Sequence, residues 1–337
     1  MMSSLSLSPF VSVRRLFALA RAGSRPLTQF AFACVGLLGA TLLLQIIDPR
    51  TVTGVNAWVK PAKFAASVAL TSFTLALLLR HVRLPARGGR RAVAAIVGLT
   101  ALELVIITLQ AARGVPSHFN FATRLDAVLF QMMAVGIVGV MVAVGYIGVV
   151  AFRQRFAEPA LGWGIRLGIV SMLVGGATGF AMPRPTPAQL ASLRAGAPAP
   201  LLGAHTVGAP DGGPGLRGTG WSTVAGDLRV AHFIGLHGLQ VLPFGGWLLA
   251  RRRRQRRDVA SVRDLALDGR LAIIAGAGYL GLTVTAFVGA LRARPLLAPD
   301  GVTAALAFGV VLSCAAAVAP LTFKTRSRVR ASEARAL

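Results

Sequence analysis

Charge is scarce in this chain. Only 14% of its 337 residues are Asp, Glu, Lys or Arg, against roughly 25% in an ordinary soluble domain. That shortage excludes a fully water-exposed surface. Acids are scarcer still, with 11 Asp and Glu facing 36 Lys and Arg. Cysteine occurs twice, at Cys34 and Cys314, each inside an apolar run. No disulfide framework can be built from them, and both read as small hydrophobes. The chain also lacks a serine nucleophile elbow, an HExxH, a CxxC, a Walker loop and a multi-histidine box. No residue is therefore assigned a catalytic role on motif grounds.

Hydrophobic length is what the chain has instead. Apolar residues make up 55% of it, and the mean hydropathy is +0.67. They concentrate in eight runs, at 29–47, 62–79, 92–110, 126–151, 162–182, 230–250, 271–290 and 302–322. Each is close to the 17 to 25 residues that a helix needs to cross hydrocarbon. The runs are continuous rather than alternating, which favours helices over barrel strands. The expected fold class is an all-α, polytopic integral membrane protein with eight transmembrane helices.

Orientation follows from the basic residues. If the runs cross in alternation, the tails and connections on one side carry 25 Lys and Arg, and those on the other carry 10. The positive-inside rule then places both termini in the cytoplasm. It also accounts for the net charge of +25 without nucleic acid as a partner. Arg14, Arg15, Arg21 and Arg25 precede a first run that leads straight into further spans, so no cleavable leader is expected. Arginine in excess of lysine, with abundant Ala and Gly, is the mark of a GC-rich genome, and a bacterial cytoplasmic membrane is the expected location. The bilayer is the first expected partner. Anionic lipid is the expected contact of the basic run Arg251–Arg257.

Five segments result: a basic tail at 1–28, a first four-helix half at 29–151, a second at 152–322, and a basic tail at 323–337, with an exoplasmic Pro/Gly-rich loop at 183–229 inside the second half. Little regular structure is expected in that loop beyond a helical turn near 188–195, and Trp221 near its end reads as a headgroup anchor. Gly164-x-x-x-Gly168 and Gly175-x-x-x-Gly179 in the fifth span read as a close helix contact. Lys60-Pro-Ala-Lys-Phe64 and Arg229-Val-Ala-His-Phe233 open the second and sixth spans with the same spacing of basic or titratable residues, Ala and Phe. This suggests a parallel four-plus-four internal repeat.

Charged and polar side chains inside spans carry the functional signal, because a charged one costs about 2.5–3.5 kcal/mol at the helix centre. Glu103 is the one acid well inside a run, and Gln110, seven residues on, shares its face. In the second span Lys60, Lys63, Ser67, Thr71 and Thr74 fall within about 80° of arc, a stripe expected to face the bundle interior. In the sixth, Arg229, His232, His237 and Gln240 fall within about 140°. His118 lies in an outer connection. Every ionisable residue buried in a span belongs to the outer half of the bilayer. The expected site is an exoplasmic-facing polar pocket for a small polar or anionic ligand that is bound, transported or sensed. It is formed by Lys60, Lys63, Ser67, Glu103, Gln110, His118, Arg229, His232, His237 and Gln240, with Glu103 and His237 as a titratable pair. The alternative is a redox protein holding b-type haem on His118, His232 and His237. Against it, two of those three histidines share one helix, whereas paired axial ligands usually come from facing helices.

Overall fold

The structure, a computed structural model, describes residues 12–255 and 261–333. Among them, eight helices are long and apolar enough to cross a membrane: Arg25–Ile47, Val59–Leu78, Ala86–Ala112, Arg124–Arg153, Pro159–Gly179, Leu228–Gln255, Val262–Leu291 and Gly301–Leu321. All eight expected runs are therefore helical, and the chain is a multi-pass membrane protein. Arg256 and Arg257 of the basic run, and the ends of both tails, lie outside the described residues. The chain divides into two compact units, Met1–Ser117 with Val128–Gln154 and His118–Ala127 with Arg155–Leu337.

The first unit begins earlier than the hydropathy suggests. Helix α1 (Val13–Gly23) is a short amphipathic segment, and Ser24 joins it to α2 (Arg25–Ile47). That one residue ends α1 through its backbone N–H, given to Ala20 O, and starts α2 by accepting from Leu27 N. A hairpin follows, β1 (Thr51–Val52) on β2 (Val55–Asn56). Its anchor is Asp48, whose carboxylate accepts from Trp58 Nε1 at 2.7 Å and from Arg50 Nη2 at 2.7 Å. Hydrogen bonds first from Arg50 and then from Trp58 hold this carboxyl well below the usual carboxylate range.

Helices α3 (Val59–Leu78), α4 (Ala86–Ala112) and all but the first turn of α5 (Arg124–Arg153) complete the unit. Ala62, Ala65, Ala69, Ser72 and Ala76 are buried and share one face of α3. The heptad-like spacing of these small residues lets the neighbouring backbone approach closely. The polar stripe lies on the opposite face. Lys63 is exposed, and Lys60, Ser67, Thr71 and Thr74 are half-buried.

The second unit contains α6 (Pro159–Gly179), α7 (Pro187–Arg194), β3 (Thr206–Val207), β4 (Gly226–Asp227), α8 (Leu228–Gln255), α9 (Val262–Leu291) and α10 (Gly301–Glu333). Its core is the seam between α6 and α8, where both expected glycine pairs lie. A β-carbon at Gly164 would strike Leu242 O, one at Gly168 would come within 3.0 Å of Gly238 O, and one at Gly175 would overlap Gly235 and Leu236. Across the seam, Gly235, Gly238 and Gly246 of α8 are equally confined, by Gly175, Ser171 and Ala160. Side chains then tie backbones together: Ser171 Oγ donates to Gly235 O at 2.9 Å, and Tyr279 OH of α9 donates to Ile234 O at 2.6 Å.

At the other end of α8 the basic run is partly spent on internal pairs. Arg253 makes a two-pronged contact with Asp268, its Nη2 2.7 Å from Oδ1, and Arg254 Nη2 reaches Glu158 at 2.6 Å. Arg251 lies 5.3 Å from the Trp247 ring.

The 183–229 loop is folded, contrary to what its composition suggests. Thr186 and Gln189 form a capping box on α7, and Gln189 also exchanges two 3.0 Å hydrogen bonds with the backbone of Gly203. Phe121 N donates to Pro200 O at 2.8 Å and Leu202 N to Phe119 O at 2.9 Å, so the segment after His118 is woven into the loop. Asp211 gathers the turn, accepting from Thr206 N at 2.8 Å and from His205 N and Nδ1 at 3.0 and 2.9 Å. Burial alone would raise this carboxyl, but the bonds from His205 and Thr206 outweigh it and hold it well below the ordinary value. A depressed folded value means that the clamp's contribution is fully present above about pH 4 and is lost only as pH falls through the folded value. Asp211→Asn removes the charge at neutral pH instead. Losing one partly exposed, charge-assisted contact costs about 1 kcal/mol, so trypsin should cut at Arg217 roughly fivefold faster when local opening limits cleavage. An unchanged rate would mean that Asp211 does not hold the turn.

Candidate functional site

The ten expected site residues divide between the units, and each group is described with its own. In the first, Lys60 lies in the opening turn of α3, its ammonium 6.0 Å from the Phe64 ring and acting electrostatically on Glu103 of α4. Gln110 is fully buried. Its Oε1 accepts a short bond from Arg113 Nη1, and its Nε2 donates to Pro116 O at 3.5 Å. It secures the turn after α4.

In the second unit Arg229 is committed to Asp227. Its Nε and Nη2 lie 2.9 and 2.6 Å from the two carboxylate oxygens, and Nη2 also donates to Gly220 O at 2.7 Å. The guanidinium fastens the end of the loop to the first turn of α8. His118 is half-buried beside Phe119, ring centroids 6.1 Å apart, and Phe119 meets His205 edge-on at 5.1 Å.

His232 and His237 part company. His232 turns toward α6 and donates from Nδ1 to Gly175 O at 2.7 Å, its ring filling the space that Gly179 leaves open. His237 turns the other way. Its Nδ1 lies 3.2 Å from Gln240 Oε1, and its ring packs 4.2 Å from Phe233. The expected arc of four polar residues exists, but its two histidine edges fall on different sides of the helix. Among the described residues no group of three or more His, Cys, Asp or Glu is placed to hold a metal ion, and His232 and His237 turn to different partners.

The His237–Gln240 pair is chemically incomplete. Gln240 Nε2 is buried and makes no hydrogen bond. With Nδ1–H given to Gln240 Oε1, His237 Nε2 carries a lone pair. The pair therefore offers the two amide N–H donors and an acceptor, the imidazole nitrogen. Turning the amide over exchanges the roles: Nε2 then donates to His237 Nδ1, the ring presents an N–H, and the amide oxygen becomes the acceptor. Either arrangement leaves at least one acceptor and more than one donor unmatched, with His237 about 13 Å along α8 from its start at 1.5 Å per residue.

Trp221 belongs to this neighbourhood, its ring standing edge-on to Phe233 at 5.4 Å. The spacing of Phe233 and His237, four apart on a helix, could have signalled their contact. His205 and Asp211 sit in a Pro/Gly-rich stretch with no periodicity to expose them. No protein-family model, curated protein or solved structure matches the chain.

Proposed function

We propose that this membrane protein binds a small, neutral, polar molecule through His237 and Gln240 in the outer half of the bilayer, with the 183–229 loop on the exoplasmic side. The observation that carries the reading is the buried Gln240 amide without a partner. In a low-dielectric interior, an unmatched amide costs about 1–3 kcal/mol, and such a cost persists where binding requires the group. Neutrality follows from Arg229, the cation in the first turn of the same helix, which is already matched by Asp227. Lys60 acts electrostatically on Glu103 within the first unit.

Gln240→Leu tests this directly. In ligand-free protein the substitution should raise stability by about 1–2 kcal/mol, read as a higher thermal midpoint in detergent, because it removes an unsatisfied group at similar volume. The same variant should lose the stabilisation that neutral hydroxyl- or amide-bearing amphiphiles give the wild type. A lower midpoint for ligand-free Gln240→Leu, or a wild type indifferent to every such compound, would defeat the reading.

A further inference from the structure

The surroundings of the His237–Gln240 pair narrow the ligand class, a step that rests on the binding role just proposed. Trp221, Phe233 and His237 form a file of three rings, 5.4 and 4.2 Å between successive centroids, running from the loop onto α8. The file occupies the side of α8 opposite the α6 seam. Around it Phe233, Val241 and Phe244 are 46%, 49% and 58% exposed. Three large apolar side chains at the surface of a membrane span meet hydrocarbon, so a molecule reaching His237 along this face is dissolved in the bilayer. The flat walls favour a flat guest, since ring faces and edges attract one another beyond the area they bury.

The polar requirement is equally specific. The His237–Gln240 pair leaves both donors and an acceptor unmatched, and a hydroxyl both gives and takes a hydrogen bond at a single oxygen. We infer that the ligand is a quinol-class molecule, a membrane-dissolved aromatic ring bearing hydroxyl groups, with its ring on Phe233 and Trp221 and one hydroxyl bridging His237 and Gln240. The hydroxyl donates to the acceptor of the pair and accepts from one of its donors. A quinone's keto oxygen can only accept. Against a quinone, one acceptor of the pair stays unmatched, either the imidazole lone pair or the amide oxygen. The reduced form therefore binds more tightly, by about tenfold, the difference one satisfied buried hydrogen bond makes.

The test uses the full chain in lipid nanodiscs and reads the thermal midpoint against ligand concentration. The probes are ubiquinol-1 kept reduced, ubiquinone-1, and dodecanol as a hydroxyl without a ring. The expected result is a half-maximal shift for the quinol at about one tenth of the quinone concentration. The difference should vanish in Gln240→Leu and in His237→Phe, which keeps an aromatic ring at the position. Equal potency of quinol and quinone in the wild type would overturn the donor–acceptor assignment. A quinol effect that persists in both variants would overturn the site. Dodecanol matching the quinol, with both effects lost in the variants, would remove the ring requirement and leave the binding role intact. Silence from all three probes, while other hydroxyl- or amide-bearing amphiphiles still stabilise the wild type, would overturn the quinol class alone.

Discussion

Valine in place of Gly175 is expected to prevent the second unit from folding. The β-carbon alone would overlap the Gly235 and Leu236 backbone of α8, and backbone atoms on both sides of a helix seam cannot yield as a flexible side chain can. Overpacking of side chains typically costs 1–3 kcal/mol. A backbone collision on a seam closed by glycine from both sides should exceed about 4 kcal/mol, which is diagnostic for a single substitution. Gly235→Val should behave alike, since a β-carbon there meets Gly175 in return. Gly245→Ala is the matched control. Nothing lies within 4 Å of its would-be β-carbon, so the alanine should stabilise α8 by about 0.5–1 kcal/mol through the lower backbone entropy of the unfolded chain. Expression and size-exclusion profiles in detergent would show the contrast. A monodisperse Gly175→Val protein melting within a few degrees of wild type would mean that the helices do not approach this closely.

That seam shows how much of the fold was legible beforehand. Hydrophobic length marked all eight spans, because continuous apolar runs of this size have one stable solution in hydrocarbon. The two glycine pairs marked α6 as a packing helix because only small residues allow that approach. Other features were hidden for physical reasons. Helix α1 is short and carries Arg14, Arg15 and Arg21, so hydropathy passes over it, and only a capping residue, Ser24, separates it from α2.

Periodicity also states which residues share a face without stating which face is packed. On α3 the alanine face won, because close approach to a neighbour favours small side chains over a stripe containing Lys60 and Lys63. On α8 the arc from Arg229 to Gln240 was correct as an arc, yet it spanned the boundary between the side that meets α6 and the side that does not. His232 thereby became a packing residue and His237 kept an open valence. The loop was the least legible segment. Its order comes from Gln189, Asp211 and Asp227 reaching residues 5 to 14 positions away in the chain, contacts that Pro and Gly content cannot reveal.

Asp227 should be the most sensitive polar residue of that loop. Its side chain is almost inaccessible and accepts four hydrogen bonds: Oδ1 from Arg229 N and Nε at 3.0 and 2.9 Å, and Oδ2 from Ser222 N and Arg229 Nη2 at 2.8 and 2.6 Å. Asp227→Ala would strand two backbone amides and a guanidinium. Breaking a buried pair by removing one partner costs about 3–5 kcal/mol. The Arg229 side chain is 34% exposed, and water can recover part of that loss, so about 2–4 kcal/mol is expected. Arg229→Ala should cost less, about 1–2 kcal/mol, because Asp227 would keep both backbone donors. The asymmetry is the informative quantity: equal losses would describe a simple surface ion pair, whereas a larger loss at Asp227 identifies the carboxylate as the post on which the loop end is hung. Trp221 reports on the same event. It lies between Gly220, held by Arg229, and Ser222, held by Asp227, so releasing that clamp should separate it from Phe233 and shift its fluorescence toward that of a water-exposed indole. If Asp227→Ala lowers the thermal midpoint while leaving that emission unchanged, the clamp stabilises the unit without positioning the aromatic file, and ligand affinity at His237 should then survive the substitution.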